Sequence, residues 1–575
     1  MRRFASCIAA VALAVPLAAC TAAAPRPPAA VPTDYLVFHA EGGQAAALGR
    51  IRTAGGSAVG VEPKLGYVLA RGGGDRFAEA VGADPAVVGV SADREIGHVT
   101  AALAGGLSDS SGARGVPGAT AVRAFPDASA VRGLHDASAV RGFPDASAFT
   151  APSAGDPLSG RQWDMKMIGA DRARAQAPGT KEVLVGVIDT GIDGKHPDIA
   201  PNFNRELSRN FVTDRPKDET GEILDGPCAA SGCKDPVDQD DDGHGTHVAS
   251  TIASPANGIG VVGVAPGVQL VNIRAGQDSG FFFLKASLDA LTYAADIGVD
   301  VVNMSYYVDP WLFNCRDNAS DSAKERLEQR AIITGMQRAL DYARGKGVTL
   351  VSALGNGSTD LGKPKLDKAS PGYPRGGERI REIDNSCINV PAESRGVVSV
   401  SSVGPSGRKA IYSDYGIEQT DLAAPGGDTV DGKGALAIRS ILAAAPEAAL
   451  RAKGRIDKSG KPKGADVVSD CTGGTCSYYQ YLDGTSMAAP HVTGVVAILV
   501  SRFGKPGTGG VTLPPATVER HLFASAKRTP CPSPRAYVYK VAGETATHTC
   551  EGDAAKNGFY GHGLVDALKA ATFRP

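Results

Sequence analysis

Val183-Leu184-Val185-Gly186-Val187-Ile188 runs without a polar residue into Asp189-Thr190-Gly191. An apolar, β-branched run with no alternation marks a strand covered on both faces, the habit of parallel sheets. Asp189 therefore leaves a buried strand at its C-terminal end, and in open α/β sheets function gathers at such ends. A carboxylate there needs a partner, because burying it unpaired is costly. A turn amide would serve, and so would an imidazole whose tautomer it fixes.

Similar runs lie at 269–274, 299–305, 349–353 and 397–402, with helical patterns at 244–253, 284–297 and 334–346 between them. Strand alternating with helix predicts an α/β fold: a three-layer sandwich with a mostly parallel central sheet, spanning residues 160–571. At 575 residues the chain has room for a further domain. The 60 Lys+Arg and 61 Asp+Glu give a net charge of −1, so the basic footprint of a nucleic-acid binder is missing.

Two more stretches carry chemistry. Asp242-Gly243-His244-Gly245-Thr246-His247-Val248-Ala249 opens a helix with His244 at its start, between glycines that permit close approach. Zinc binding by His244 and His247 is disfavoured, since they lack the spacing and intervening Glu of a His-Glu-x-x-His helix. Asp483-Gly484-Thr485-Ser486-Met487-Ala488-Ala489-Pro490-His491 begins an apolar helix reaching Val500. Ser486 falls at its N-terminus, where free N–H groups favour developing negative charge; a capping serine has the same position. Pro490 is expected in the first turn, where it costs no hydrogen bond. Asp189-Thr190-Gly191 also matches the tripeptide of aspartic proteases, whose mechanism needs a second such carboxylate. Asp278-Ser279-Gly280 follows polar residues rather than an apolar strand, so that reading fails.

In the order Asp, His, Ser, the three blocks resemble the signature motifs of the subtilases, the subtilisin-like serine proteases. The resemblance implies a serine endopeptidase acting on proteins or peptides, with Asp189, His244 and Ser486 as catalytic triad. Val351-Ser352-Ala353-Leu354-Gly355-Asn356-Gly357 is similar to the family's oxyanion block, which implies that Asn356 donates its amide to the oxyanion with Gly355 beside it in the cleft. Ser305-Tyr306-Tyr307 stands where many subtilases have Ser-Leu-Gly or Ser-Phe-Gly, which implies a substrate-binding strand with a narrowed pocket. Asp278-Ser279-Gly280 resembles the facing, substrate-pairing strand. The family's calcium site implies a Ca²⁺ held by side chains of Gln162, Asp198 and Asn257 and carbonyls of Pro255, Ile259 and Val261, all hard oxygen ligands.

Upstream, residues 33–98 read as a small unit with strands at 35–38, 66–70 and 87–90 and helices at 45–54 and 75–81. By resemblance this is a propeptide inhibitor domain, so the chain's own propeptide is an intramolecular partner and the protein a zymogen. A nine-residue repeat at 121–129, 130–138 and 139–147 makes 99–155 a linker, and His135 within it no site residue. Met1-Arg2-Arg3, an apolar run over 8–17 and Leu17-Ala18-Ala19-Cys20 make residues 1–20 an export signal resembling a lipobox. Lipidation of Cys20 would anchor an exported monomer to the outer face of the membrane by lipid alone. Eight cysteines remain besides Cys7 and Cys20, an even number that suits an oxidising compartment. Spacing favours Cys228–Cys233, Cys471–Cys476 and Cys531–Cys550, leaving Cys315–Cys387, although connectivity stays open at this level. Zinc is disfavoured because the close pairs lack further ligands. The acidic stretch Asp235, Asp238, Asp240, Asp241, Asp242 is expected to be a solvated loop.

Overall fold

The computed structural model describes residues 32–73, 76–93, 155–218, 221–432, 435, 438–541 and 544–575. The signal segment with Cys20 and the repeats with His135 lie outside them.

The larger unit is built on seven parallel strands: β5 (Leu184–Ile188), β6 (Arg209–Asn210), β7 (Gln269–Arg274), β8 (Val301–Met304), β9 (Thr349–Ala353), β10 (Val397–Val403) and β11 (Leu422–Pro425). Their spatial order is β11-β10-β9-β8-β5-β7-β6, so the chain runs outward from β5 to the β6 edge and then returns past β5 to reach β8 through β11. Every residue of β5, β8, β9 and β10 is buried, the few polar ones included, as a sheet covered on both faces requires. Helices α3 (His244–Ala253) and α6 (Thr485–Phe503) pack on each other, as do α4 (Leu284–Ile297) and α5 (Ala323–Gly345). Helix α5 starts eleven residues before the 334–346 stretch read from the sequence. Its true beginning is a capping box: the Glu325 amide donates to Ser322 Oγ, and the Ser322 amide to the Glu325 carboxylate. Helix α6 is long and apolar enough to cross a membrane, but it is a core helix of this unit, buried over most of its length.

Pro490 sits deeper than the first turn, since α6 begins at Thr485. It therefore removes the hydrogen bond that would have met the Ser486 carbonyl.

A three-stranded sheet, β12 (Ile441–Ala444), β13 (Val467–Asp470) and β14 (Ser477–Leu482) in the order β12-β14-β13, is inserted before α6. After α6 a hairpin, β15 (Ala536–Val541) and β16 (Glu544–Thr549), covers the far end of the sheet. There Lys409 is wholly buried, bonded to the Ala410 and Ser413 carbonyls and surrounded by Tyr415, Tyr539 and Phe559; burial pushes its amine down to about 7. The four disulfides are Cys228–Cys233, Cys315–Cys387, Cys471–Cys476 and Cys531–Cys550.

The smaller unit has strands β1 (Pro32–His39), β2 (Ser57–Glu62), β3 (Tyr67–Gly73) and β4 (Val87–Ala92), in the antiparallel order β2-β3-β1-β4, with helices α1 (Gln44–Thr53) and α2 (Arg76–Gly82). Strand β2 escapes sequence reading because it is an exposed edge of small residues, with a register shift between Ala58 and Gly60. The unit rests on α5. Gly89 of β4 lies so close that a Cβ there would come within 2.4 Å of the Ala331 amide nitrogen. Arg338 of α5 donates to the carbonyls of Leu65 and Gly66 (both 3.0 Å) and His39 (2.8 Å).

Candidate active site

Asp189, wholly buried at the end of β5, accepts His244 Nδ1–H at 2.7 Å and the Thr190 amide at 2.8 Å, both on Oδ1. His244 is the first residue of α3, reached through Gly243 at φ +98°, a left-handed turn that favours glycine. Burial opposes a charged ring, but the Asp189 carboxylate, with Asp242 and Asp240 behind it, outweighs this and raises the His244 pKa. The bond to Asp189 commits the proton to Nδ1 and leaves Nε2 with its lone pair.

The acidic loop before His244 is not solvated. Asp235, Asp238, Asp240 and Asp242 are all buried, each with a partner. Asp240 is the central one. Its Oδ1 accepts the Thr190 hydroxyl (3.0 Å) and the Gly243 amide (2.8 Å), and its Oδ2 accepts the Thr246 amide (2.9 Å) and hydroxyl (2.6 Å). One carboxylate thus ties the Asp189 strand end to the His244 helix start. Burial, then Asp242, pushes it up to about 6.

Ser486 is the second residue of α6 and is almost buried. Its hydroxyl donates to the Ser305 carbonyl at 3.3 Å. Asn356 follows β9, and its Oδ1 accepts both the amide (2.9 Å) and the hydroxyl (2.8 Å) of Thr485. Those two donors assign the oxygen, so the NH₂ group faces the other way. Thr485 Oγ also accepts the Gly355 amide (3.2 Å), and Gly355 has φ +130°. Thr485 lies inside a motif stretch and Asp240 just before one, yet Asn356 and Thr190, which they join to the site, sit in distant parts of the chain.

Tyr306 and Tyr307 are buried, and Tyr306 stacks on Phe282 with centroids 4.3 Å apart. Phe282 and Asp309 exchange hydrogen bonds, and the Val308 amide donates to Val390. The Asp278 and Ser279 amides donate to Asp214 (3.3 Å) and Asp225 (2.9 Å), and the Gly280 amide to Gln277, so this segment is a hairpin with those amides engaged. Beneath it, fully buried Arg274 donates to Asp235 (2.5 Å), Asp214 (2.6 Å) and Asp278 (3.0 Å). These three carboxylates could group around a metal by spacing alone, but the guanidinium holds the centre. Burial raises Asp214 and Asp278, with Arg274 pulling the other way.

The expected calcium loop turns its amides inward and leaves carbonyls over. Five consecutive amides, 258 to 262, donate to side-chain oxygens of Asp156, Asn257, Asp470, Asp198 and Gln162. The carbonyls of Pro255, Ile259 and Val261 accept no hydrogen bond among the described residues. Asp198 Oδ1 is buried and unpartnered, and burial pushes this carboxyl up to about 8. Carbonyls and a carboxylate oxygen left without hydrogen bonds are ligands of the kind a hard cation takes. Gln162 is the weakest member, with both ends of its amide bonded to the Val262 backbone.

The sequence pattern of the subtilase family matches residues 180–563. Fervidolysin of Fervidobacterium pennivorans is 28% identical over 366 residues, covering 62% of this chain and 40% of that protein. The nisin leader peptide-processing serine protease NisP of Lactococcus lactis is 26% identical over 355 residues, covering 60% of this chain and 44% of its own. The chain therefore spans less than half the length of these two relatives. The crystal structure of the epidermin leader peptide processing serine protease EpiP of Staphylococcus aureus superposes with a TM-score of 0.57 at 19% identity, over 94% of this chain and 98% of that one. That likeness concerns the fold, including the small antiparallel sheet in front of the large parallel one. With its pattern matched over more than half of the residues, and an Asp–His pair at the end of the central strand, the chain belongs to the subtilase family.

Proposed function

We propose that the chain is an exported serine endopeptidase, made as a zymogen, that hydrolyses peptide bonds through an acyl-enzyme. The observation that carries this reading is the 2.7 Å bond from His244 Nδ1 to buried Asp189, which leaves Nε2 as a base within a family whose members are serine proteases. Ser486 turns about its Cα–Cβ bond from the Ser305 carbonyl toward that base. His244 takes its proton as the oxygen attacks the substrate carbonyl, and Asp189 stabilises the imidazolium. The Asn356 NH₂ and the Ser486 amide receive the oxyanion. His244 then protonates the leaving amine, and water repeats the sequence on the acyl-enzyme.

Residues 33–98 act as propeptide inhibitor, seated on α5, and 99–155 as the segment removed on maturation. Ca²⁺ is held by Asp198, Asn257 and Gln162 with the carbonyls of Pro255, Ile259 and Val261, where it supplies positive charge and cross-links the loop. Cys20 carries lipid.

Fluorophosphonate labelling tests the activity: Ser486 should be modified in the wild type and no residue in Ser486→Ala. An unlabelled, folded wild type would instead support an inactive binding protein. A second reading, selective processing of one partner protein, is favoured by Tyr307, a buried bulky ring where many subtilases have Gly. Cleavage of a peptide library without side-chain preference would reject it.

A further inference from the structure

We infer that Thr493, Asn303 and Ser305 form a one-way hydrogen-bond relay that positions Ser486 by capturing the carbonyl Pro490 leaves without a donor. This rests on the proposed role of Ser486 as nucleophile.

In an uninterrupted helix the amide of residue 490 would donate to the Ser486 carbonyl. Proline has no such donor, and the carbonyl is buried, where an unmet acceptor is costly. The Ser305 hydroxyl takes it, at 3.1 Å. This donation fixes the polarity of everything behind it. A carbonyl has no proton, so Ser305 must give its own. Ser305 Oγ can then only accept from Asn303, through Nδ2–H at 2.9 Å. Asn303 consequently turns Oδ1 toward Thr493, whose hydroxyl lies at 2.9 Å, with the Ala489 carbonyl at 3.2 Å as its other acceptor. Ser305, Asn303 and Thr493 all have no measurable exposure to solvent. Bonds that point the same way along a buried chain polarise one another.

The geometry ties α6 to β8 at two points. One is Thr493, two turns into the helix, and the other is the peptide immediately after Ser486. The return bond from Ser486 Oγ to the Ser305 carbonyl makes the contact reciprocal. Anchoring the Ser486 carbonyl limits the travel of its Cα, from which the hydroxyl and the amide that the proposed mechanism uses both extend. Thr493 and Asn303 touch no reacting atom and act as positioning residues.

Thr493→Val keeps the shape and removes the donor, Thr493→Ser keeps the donor, and Ser305→Ala breaks the last link. The full-length chain is assayed for kcat and KM on a fluorogenic peptide pool, for the rate of fluorophosphonate labelling of Ser486, and for hydrogen exchange across 484–490. Thr493→Val and Ser305→Ala should lower kcat per titrated site and the labelling rate about tenfold, the worth of one buried hydrogen bond, with KM within about twofold. Exchange across 484–490 should quicken in both, and Thr493→Ser should behave as wild type. Unchanged labelling and unchanged exchange in Thr493→Val and Ser305→Ala would overturn the relay. Failure of Thr493→Ser to restore either would do the same. If the wild type itself were not labelled, the protease reading would fall, and the exchange measurement would still decide the relay.

Discussion

At the scale of single residues, His244 has to be neutral to accept a proton, so activity should rise with pH as its ring deprotonates. The pull of Asp189 raises the His244 pKa, which moves that rising limb above the ordinary histidine value. Asp189→Asn should shift the limb of kcat/KM to lower pH and reduce kcat about 10⁴-fold, read from a pH–rate profile. In the proposed mechanism the Asn356 amide meets charge that exists only in the transition state, so Asn356→Ala should cost about 10²–10³ in kcat with little change in KM. The residues to which the proposed mechanism gives these roles stand out in the sequence because each sits in a short local pattern. Asp189 ends an apolar run, His244 lies between glycines, and Ser486 opens an apolar helix. Thr485 and Asp240 were not legible as orienting groups. Thr485 is defined by Asn356, 129 positions away, and Asp240 by Thr190, 50 positions away. A lone acidic residue in an acidic loop is more often solvated, and nothing nearby in the chain says otherwise.

At the scale of elements, the Asp240 carboxylate joins the end of β5 to the start of α3 by four accepted hydrogen bonds. Asp240→Asn would turn an NH₂ group onto two of those donors. Stability should fall by about 1–3 kcal/mol, measured by denaturant unfolding, with kcat falling alongside it. Five of the seven parallel strands were readable because their buried runs are mostly apolar, whereas the two-residue β6, the four-residue β11 and the exposed edge β2 give no such run. The inserted sheet β12–β14 was unread for a related reason. Its strands β12 and β13 are four residues long, and β13 is half-exposed, so neither produces a run that stands out.

At the scale of the molecule, two cross-links invite measurement. Cys315–Cys387 closes a 72-residue separation, and in the chain-entropy account a loop of that size is worth about 4 kcal/mol. The Cys315→Ala/Cys387→Ala double variant should unfold at correspondingly lower denaturant. For calcium, burial pushes Asp198 up to about 8, so the metal-free fold retains a proton there at neutral pH that the unfolded chain, with an ordinary carboxyl, releases. Raising the pH from 4 toward 8 therefore destabilises the metal-free fold, while binding a cation expels the proton. Apparent Ca²⁺ affinity should climb with pH up to about 8 by titration calorimetry. Chelation should lower the melting temperature most on the alkaline side. The seat of the small unit on α5 has a different kind of consequence. Arg338 grips three main-chain oxygens, and Gly89 offers bare backbone to Ala331. These main-chain contacts are blind to side-chain identity, and they frame a side-chain seam in which the Phe38 ring lies against Gly335 and Leu327 of α5 joins the small unit's core. The leading unit is thereby free to drift in sequence over generations away from that seam, and a foreign unit would need the same trace, a glycine at that one place and an apolar underside to take the same berth.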